Sequence, residues 1–333
     1  MATRKRQRYI VGVDLGGTNI VAGVMPEDGS RQIAMRSQPT FAALGPEGVT
    51  DRIIQMIEDV ITITCAETGA TRADFLGVGV GAPGPLDRER GLVVVAPNLG
   101  WRDWPLRDRI GQRVGLHATL DNDANCATVG EWWVGAAMGC RNVIGITIGT
   151  GIGGGIIFDG KLYHGASDVA GEIGHANIDS TGRRCKCGNY GCLAAYASGP
   201  NIAERARAAL AGGETSVLTE MVNGDLAAIT AATVYEAASR GDNSAREVVR
   251  DTARFLGTGI ANLLNIFNPD CVVVAGGVTA AGDALLEPLR AEVRRRAFKP
   301  AVDACKIVLG TLPGTAGVVG AVATFKAQHL GGV

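Results

Sequence analysis

Two stretches of the sequence repeat one plan, in which a buried strand leads through a glycine-rich turn into a returning strand. The first runs from YIVGVDL (9–15) to IVAGV (20–24), and the second runs from VIGITIG (143–149) to GGIIF (154–158). Short β-branched runs punctuated by glycines predict strands joined by tight turns. A repeated unit of this kind predicts two related domains, each with a turn of phosphate size. Glycine-rich hairpins also recur by chance in α/β chains, so that interpretation stays open.

Helical patterns alternate with strands along the rest of the chain. Helices are predicted over residues 46–68, 123–138, 243–267 and 316–328, and further strands over 75–84 and 271–277. Alternating strands and helices predict an α/β protein, and the tight hairpins make its sheets mixed rather than all parallel. A length of 333 residues is typical of two domains.

Charge and composition exclude several classes of protein. The 32 basic and 33 acidic residues leave a net charge of -1, so no overall field attracts nucleic acid or an anionic membrane. No apolar run approaches the ~18 residues of a transmembrane helix. The N-terminal MATRKRQR lacks the apolar core of a signal peptide, and we interpret it as a solvated tail. Eight cysteines are too few for a disulfide scaffold, which favours a cytoplasmic protein with one metal or redox site.

The first glycine turn, DLGGTN, combines an acidic residue with groups that can hold phosphate. Asp14 ends the strand, and Gly16 and Gly17 allow close approach to the backbone, whose N–H groups can bind phosphate oxygens. Thr18 and Asn19 add side-chain donors, and Asp14 can attract Mg²⁺ directly or through water. A plain hairpin turn would use the same residues, so both interpretations stay open.

The second glycine turn, GTGIGGG, contains G-x-G-x-x-G spacing. A dinucleotide-binding fingerprint requires a helix after the turn, whereas the apolar strand 156–158 follows here. The sequence therefore excludes a dehydrogenase of that type and favours a phosphate-binding β-turn around Thr150.

LDNDAN places acidic and amide side chains where a strand meets a helix. The helix dipole stabilises an ionised carboxylate at Asp123 by roughly 0.3–1 kcal/mol. An ionised carboxylate beside an alcohol is the base that hydroxyl phosphorylation requires. Capping the helix is an equally natural role for Asp123, and the motif alone does not decide between the two.

Four potential metal ligands follow in close succession: His175, Cys185, Cys187 and Cys192. One imidazole and three thiolates form a closed tetrahedral set suited to structural Zn²⁺. Glycines between the cysteines allow the loop to wrap around a small ion. The alternatives are ordinary buried cysteines or a Cys187–Cys192 disulfide.

These motifs, in this order, resemble those of the ROK family of sugar kinases, most closely its bacterial glucokinase branch. The resemblance spans the chain from Asp14 to the C-terminal helix and includes GAPGPLD (81–87), APNLGW (96–101), GEIGH (171–175) and AGGV (275–278). It implies an actin-like (ribonuclease H-like), hexokinase-type fold of two α/β domains around a central cleft. The implied domains are a small one over 1–119, completed by the C-terminal helix 316–333, and a large one over 120–315 with the zinc loop 175–192.

The resemblance also implies ATP-dependent phosphorylation of a hexose, with glucose favoured, at the 6-hydroxyl. Asp123 would be the base, and His175 would bind zinc with one ring nitrogen and face the sugar with the other. The implied sugar-binding residues are Gly84, Asn98, Asn122, Glu172 and His175. Mg²⁺-ATP would lie between the glycine turns, at Asp14, Gly16, Gly17, Thr18, Asn19, Thr150, Gly151, Gly153, Gly276 and Gly277. The family also implies a homodimer or homotetramer.

One position departs from the family pattern, because Ala194 stands where the family has a glutamate that accepts hydrogen bonds from the sugar. The loss of a charge-assisted hydrogen bond of about 1.5–3 kcal/mol would weaken sugar binding and leave phosphoryl transfer intact. An altered sugar preference, a compensating neighbour and an introduced substitution are all consistent with the sequence.

Other functions stay open at this stage. They include a kinase for another hexose or an N-acetylhexosamine, a kinase that uses polyphosphate, and a zinc-dependent scaffold without activity. A sugar-responsive ROK repressor would carry a helix-turn-helix module before the sugar-binding region. The segment before Asp14 is too short for such a module, which disfavours that alternative.

Overall fold

The computed structural model describes residues 7–332, so the solvated tail predicted for the N-terminus lies largely outside the described residues. The strands are β1 (Tyr9–Leu15), β2 (Asn19–Pro26), β3 (Ile33–Pro39), β4 (Phe75–Ala82), β5 (Leu86–Asp87), β6 (Leu92–Ala96), β7 (Trp101–Trp104), β8 (Ala118–Asn122), β9 (Val143–Ile148), β10 (Ile152–Phe158), β11 (Lys161–Leu162), β12 (Cys271–Ala275) and β13 (Lys306–Leu309). The helices are α1 (Gly45–Thr68), α2 (Leu106–Val114), α3 (Asp123–Trp133), α4 (Ala194–Ala197), α5 (Gly199–Ala211), α6 (Leu218–Met221), α7 (Ala231–Ser239), α8 (Asn243–Phe267), α9 (Asp283–Arg296), α10 (Lys299–Ala304) and α11 (Ala316–Leu330).

The chain divides into two compact units. The first contains the residues up to Gly139, Gly155–Gly171 and the residues from Gly314 onward, and the second contains Cys140–Gly154 and Glu172–Pro313. Each unit has its own apolar core.

The sheet of the first unit has the strand order β3-β2-β1-β4-β8. β1 pairs antiparallel with β2 and parallel with β4, and β4 pairs parallel with β8. The carboxyl ends of the parallel strands β1, β4 and β8 therefore share one edge of the sheet. At this edge Asp14 is the register partner of Gly81, and Ala82 is the register partner of Asn122. This edge brings together the first glycine turn and the LDNDAN corner.

Helix α11 packs directly on the backbone of β1 and β4. Glycines make this approach feasible, because a Cβ on Gly12 would lie 2.3 Å from the carbonyl oxygen of Val318. A Cβ on Gly79 would likewise lie 1.9 Å from the carbonyl oxygen of Ala321. The C-terminal helix thus belongs to the first unit.

The other five-stranded sheet has the strand order β11-β10-β9-β12-β13, and its parallel strands β9, β12 and β13 lie in the second unit. The amphipathic helix α8 packs against α7 and α9. Its buried side chains, which include Leu256, Ile260 and Leu264, recur at the helical period and join the core beside Val272 and Val274.

The compact units do not follow the expected domain boundary after residue 119. β8 pairs with β4 inside the first unit, and α3 packs on α11, so residues 120–139 stay with that unit. Residues 155–171 also belong to it, because a Cβ on Gly155 would lie 2.5 Å from Thr128 Oγ1 of α3. The boundary depends on packing between segments that are distant in sequence.

Most predicted elements occur close to their predicted bounds, and α8 covers residues 243–267 as predicted. The helix predicted over 123–138 ends earlier, at Trp133. The chain turns back there, because Ala136 N donates to Glu131 Oε2 at 3.0 Å and Ala137 N donates to the Glu131 carbonyl at 2.9 Å. Within residues 7–332, no helix combines the length and apolar character needed to cross a membrane.

Candidate active site

The turn between β1 and β2 is tight and presents exposed residues. Gly16 N donates to the Asn19 carbonyl at 2.9 Å, and Thr40 Oγ1 donates to the Gly16 carbonyl at 2.7 Å. A Cβ on Gly16 would lie 2.9 Å from that Asn19 oxygen, so the turn has no room for a side chain at this position. Gly17, Thr18 and Asn19 are exposed at its tip. The geometry fits a turn that offers backbone and side-chain donors to an anion.

Asp14 lies directly before this turn, at the end of β1. Helix α11 begins against its carboxylate, because a Cβ on Gly317 would lie 2.2 Å from Asp14 Oδ2. Enclosure by protein atoms, and then the charge of Asp123, raise the pKa of Asp14 to about 7. The first unit therefore places two carboxyl groups close enough to interact at one sheet edge.

Asn122, rather than Asp123, is the N-cap of α3. Asn122 Oδ1 accepts hydrogen bonds from Ala124 N at 2.9 Å and from Asn125 N at 3.2 Å. Asp123 is the first residue of the helix, is half-buried, and accepts from Ala124 N at 2.8 Å through Oδ1. The interpretation of Asp123 as the cap is wrong, because the preceding amide already fills that role.

Two more residues expected to bind sugar lie in the first unit. Gly84 follows β4 with φ +92°, and a Cβ there would lie 2.0 Å from the Val95 carbonyl oxygen, so only glycine fits. Asn98 is exposed in a short 3-10 helix, with its Cβ 3.4 Å from the position that a Cβ on Gly17 would occupy. Asn98 thus lies beside the first glycine turn.

The second glycine turn, between β9 and β10, borders a cavity of about 740 Å³ within the second unit. Gly149 N donates to the Gly151 carbonyl at 2.9 Å, and Thr150 and Gly277 line the cavity. Gly151, Gly153 and Gly276 are not among the lining residues. Gly276 has φ +95°, and a Cβ there would lie 2.4 Å from the Ile148 carbonyl oxygen, which accounts for a glycine after β12.

The cavity walls combine apolar residues with a few polar groups, a composition typical of small-molecule sites. The polar lining side chains include those of Arg207, Tyr235, Glu236 and Ser239. Arg207 Nη1 donates to the Ile229 carbonyl at 3.1 Å, which fixes that guanidinium. The Tyr235 hydroxyl is buried and has no hydrogen-bond partner among the described residues. A cavity of this size accommodates a nucleoside.

His175, Cys185, Cys187 and Cys192 come together, and their four ligand atoms lie within 4.8 Å of one another. His175 Nδ1 is 3.8 Å from Cys185 Sγ, and Cys187 Sγ is 3.7 Å from Cys192 Sγ. Tetrahedral ligands about 2.3 Å from a zinc ion lie about 3.8 Å apart, so the set fits Zn²⁺. The structure holds all eight cysteines as free thiols, which does not agree with a Cys187–Cys192 disulfide.

The thiols of this set differ in their electrostatic surroundings. A backbone hydrogen bond from Asn189 is the main cause that lowers the pKa of Cys187. Burial and the neighbouring thiols raise the pKa of Cys192 to about 12. The other ring nitrogen of His175, Nε2, lies 4.0 Å from Glu172 Oε2. The imidazole thus presents Nδ1 to the thiols and Nε2 to a carboxylate.

Ala194 begins α4 and is half-buried. The Asn201 side chain contacts it, because its Nδ2 donates to the Ala194 carbonyl at 2.8 Å and to Ser198 Oγ at 2.7 Å. This amide donor group is therefore used within the protein. The methyl group at position 194 offers no acceptor of its own.

A group of charged residues surrounds Asp121, near the end of β8 and two positions before Asp123, and it was not predicted from the sequence. Asp121 is buried, with its Oδ2 2.9 Å from His164 Nε2 and 3.3 Å from Arg88 Nε. Arg88 also contacts Asp168. Asp121 belongs to the LDNDAN motif, but its partners come from distant parts of the chain, and no local pattern marks them.

Comparisons with known proteins agree on one family. A model of the ROK family matches residues 10–328. A glucokinase of Halalkalibacterium halodurans is 37% identical over 331 residues, which cover 97% of this chain and 96% of that protein. A putative xylose repressor of a Caldicellulosiruptor species is 34% identical over 99% of this chain and 81% of that protein.

A solved structure of a ROK family glucokinase from Streptomyces griseus, in complex with glucose and AMPPNP, is also similar. Its TM-score is 0.81 and its sequence identity is 37%, over 94% of this chain and 98% of that chain. The structural likeness confirms the prediction of an actin-like, hexokinase-type α/β fold with two domains.

Proposed function

This chain belongs to the ROK family, and from that premise we propose that it is an ATP-dependent sugar kinase that phosphorylates a hexose, with glucose as the favoured acceptor. The relatives named glucokinase match it over nearly its full length. The Streptomyces griseus protein binds glucose together with an ATP analogue. The product is the hexose 6-phosphate, and ADP is released.

The single observation that carries the mechanism is the position of Asp123. It opens α3, and the cap that it might have supplied comes from Asn122 instead. A positioned carboxylate outside the capping role can accept a proton from a hydroxyl group within hydrogen-bond distance. We assign Asp123 as the base on this ground.

The proposed step is an in-line phosphoryl transfer. The sugar 6-oxygen attacks the γ-phosphorus, the bond from that phosphorus to the bridging oxygen breaks, and ADP leaves with the electron pair. Asp123 takes the hydroxyl proton as the new P–O bond forms. Positioning of the two reactants supplies most of the catalysis in reactions of this kind.

We assign sugar binding to Gly84, Asn98, Asn122, Glu172 and His175. Asn122 caps α3 through Oδ1, which leaves its Nδ2 group as the donor to the sugar. His175 would present Nε2, because its Nδ1 faces the thiols.

The glycine turns would bind phosphate groups of the nucleotide. We assign phosphate binding to Asp14, Gly16, Gly17, Thr18, Asn19, Thr150, Gly151 and Gly153, and contact with the adenosine to Gly276 and Gly277. The cavity that Thr150 and Gly277 line supports an adenosine site there, because its volume fits a nucleoside. Asp14 fits a hard cation, since a carboxylate with a raised pKa gains a counter-charge when Mg²⁺ arrives with the nucleotide. Bound Mg²⁺ would neutralise charge on the phosphates.

A structural Zn²⁺ would be held by His175, Cys185, Cys187 and Cys192. The spacing of their ligand atoms supports this set. The ion would fix the imidazole ring through Nδ1 and so orient Nε2 toward the sugar.

Eight free cysteines also suit a reducing, cytoplasmic compartment. We further propose a homodimer or a homotetramer, as the family resemblance implies.

Two observations favour related functions that an experiment must separate from glucose phosphorylation. Ala194 favours an acceptor other than glucose, such as another hexose or an N-acetylhexosamine. The xylose repressor relative favours a sugar-responsive regulator.

A coupled assay of ADP release across a panel of hexoses and N-acetylhexosamines tests the proposal, and a parallel series replaces ATP with polyphosphate. We expect ATP-dependent turnover, highest with glucose. A higher kcat/KM with another sugar would reassign the acceptor, and turnover with polyphosphate alone would reassign the donor. No turnover with any sugar, together with sugar-dependent DNA binding, would overturn the kinase in favour of the regulator.

A further inference from the structure

Asp121 is a buried carboxylate with four polar contacts, and its side chain is 1% exposed. Its Oδ1 accepts from Asn122 N at 2.9 Å and from Asn125 Nδ2 at 3.1 Å. Its Oδ2 lies 2.9 Å from His164 Nε2 and 3.3 Å from Arg88 Nε. A buried carboxylate is tolerated when it is paired and hydrogen-bonded, and both conditions hold here.

These contacts connect the end of β8 to the first turn of α3. Asn122 is the N-cap of α3, and Asn125 lies on the first turn of the helix. One carboxylate therefore contacts both the capping residue and the start of the helix. Asp123 lies between these two residues in the chain.

Arg88 joins this carboxylate to a second acidic residue. Its Nη1 lies 3.4 Å from Asp168 Oδ1, and its backbone N donates to Asp168 Oδ2 at 3.2 Å. Asp168 has φ +59°, a left-handed conformation that is uncommon outside glycine and that the bonds from Arg88 help to hold. Arg107 Nη1 in turn donates to the Arg88 carbonyl at 3.1 Å. Arg88 is thus held on both its backbone and its side chain.

Acidic side chains dominate the electrostatics of this corner. Burial first, and then the charges of Asp121, Asp14 and Asp123, raise the pKa of the buried Cys126 thiol. Arg88 and His164 are the basic side chains that contact Asp121. The Arg88 guanidinium offsets the charge of the buried Asp121 carboxylate, and such an interaction is strong where the effective dielectric constant is low.

We propose that Arg88 and His164 are positioning residues for the phosphoryl-transfer step, which act by holding Asp121 and through it the corner that carries Asp123. The inference rests on the proposed function, because it takes Asp123 as the base. Neither side chain touches the reacting atoms in this account. Their effect on catalysis comes from the placement of the base, and small displacements of a base lower kcat steeply.

The test measures kcat and the KM values for hexose and ATP in Arg88→Gln, Arg88→Lys and Arg90→Gln. We expect Arg88→Gln to lower kcat about 10- to 100-fold, with both KM values within about threefold of wild type. Arg88→Lys should recover part of kcat, because a lysine can pair with Asp121 but cannot bridge to Asp168. Arg90→Gln is the matched control, since the Arg90 side chain is 73% exposed and pairs only at 3.8 Å with Asp87.

A second pair of variants covers the case in which Arg88→Gln does not fold. His164→Leu should lower kcat with little change in KM, and His164→Gln, which keeps a donor, should restore most of it. Wild-type kcat in Arg88→Gln or His164→Leu would overturn the inference. A change confined to KM, or a lysine variant no better than Arg88→Gln, would overturn it as well.

Failure of this inference can be separated from failure of the proposed function. An active wild type with an equally active Arg88→Gln would overturn the positioning role alone. A wild type without hexose-dependent ADP release would overturn the proposed function, and this inference would fall with it.

Discussion

The two glycine turns share one strand–turn–strand plan but lie in different surroundings. The turn after β1 lies beside Asp14 and Asp123, and burial, followed by the charge of Asp123, raises the pKa of Asp14 to about 7. The turn after β9 borders a cavity of about 740 Å³ with mainly apolar walls. A similar turn thus lies beside two carboxyl groups in the first unit and beside a cavity in the second. If both turns bind phosphate, as we propose, the residues around each turn determine whether it supports phosphoryl transfer or nucleotide binding.

The Asp14 carboxyl group beside the first turn should make the stability of the folded protein depend on pH. Because burial raises the pKa of Asp14 from 3.8 to about 7, the folded protein binds more protons than the unfolded chain between these values. The free energy of unfolding therefore falls as the pH rises through this window. The fall amounts to at most roughly 4 kcal/mol, because each unit of pKa shift corresponds to about 1.36 kcal/mol.

We accordingly expect Asp14→Asn to stabilise the protein at pH 8 and to give a much smaller gain at pH 5. Chemical denaturation at both values, without magnesium or nucleotide, measures the difference. An equal effect of Asp14→Asn at pH 5 and at pH 8 would show that the buried charge is absent.

A larger side chain in the cavity beside the second glycine turn should weaken the binding of ATP. Ala280 lines the cavity and is exposed, so Ala280→Phe adds a ring without disturbing the core. We expect the KM for ATP to rise about 100-fold or more, a loss of roughly 2.7 kcal/mol in binding, with the KM for hexose unchanged. The matched control is Ala208→Phe, at an exposed alanine of α5 that does not line the cavity. A wild-type KM for ATP in Ala280→Phe would place the adenosine elsewhere.

Sugar binding in the second unit should improve when the missing acceptor is supplied. Ala194→Glu adds a carboxylate, and a charge-assisted hydrogen bond of about 1.5–3 kcal/mol corresponds to a roughly 10- to 100-fold lower KM for glucose. The KM for ATP should stay unchanged. Ala194→Gln separates charge from shape, and steady-state kinetics with glucose and N-acetylglucosamine measures both. An unchanged or higher KM for glucose would remove the argument from Ala194.

The zinc loop 175–192 should affect the binding of hexose more than the phosphoryl-transfer step. Cys187→Ser removes one ligand of the proposed zinc set, and we expect the bound zinc to be lost and the KM for hexose to rise about tenfold. The value of kcat at saturating sugar should fall much less, because Asp123 lies in the other unit. Metal analysis and kinetics measure both effects, with Cys65→Ser as the control outside the loop. Retained zinc in Cys187→Ser would contradict the ligand set.

Patterns that are local in sequence predicted local structure well. The helical period of α8 and the β-branched runs of β1 are properties of short windows, and the four proposed metal ligands lie within 18 residues of one another. Such features need no knowledge of the tertiary fold. For this reason the zinc set was the sharpest prediction made from the sequence.

Features that depend on packing between distant segments were not predictable. His164 lies 43 residues from Asp121, and Arg88 lies 80 residues from Asp168. The same reason explains the unit boundary, since residues 120–139 are held by α11 near the C-terminus. The capping role of Asn122 was missed for a subtler reason, because Asp and Asn are nearly equal as N-caps.

The central claim is that the carboxylate at position 123 takes the proton, and the kcat of Asp123→Asn at saturating glucose and ATP tests it most directly. The amide keeps the size and the position of the side chain and removes the base. The account predicts a fall of about 10²- to 10⁴-fold in kcat, with folding, zinc content and glucose affinity retained. An Asp123→Asn protein that keeps most of the wild-type kcat would contradict it.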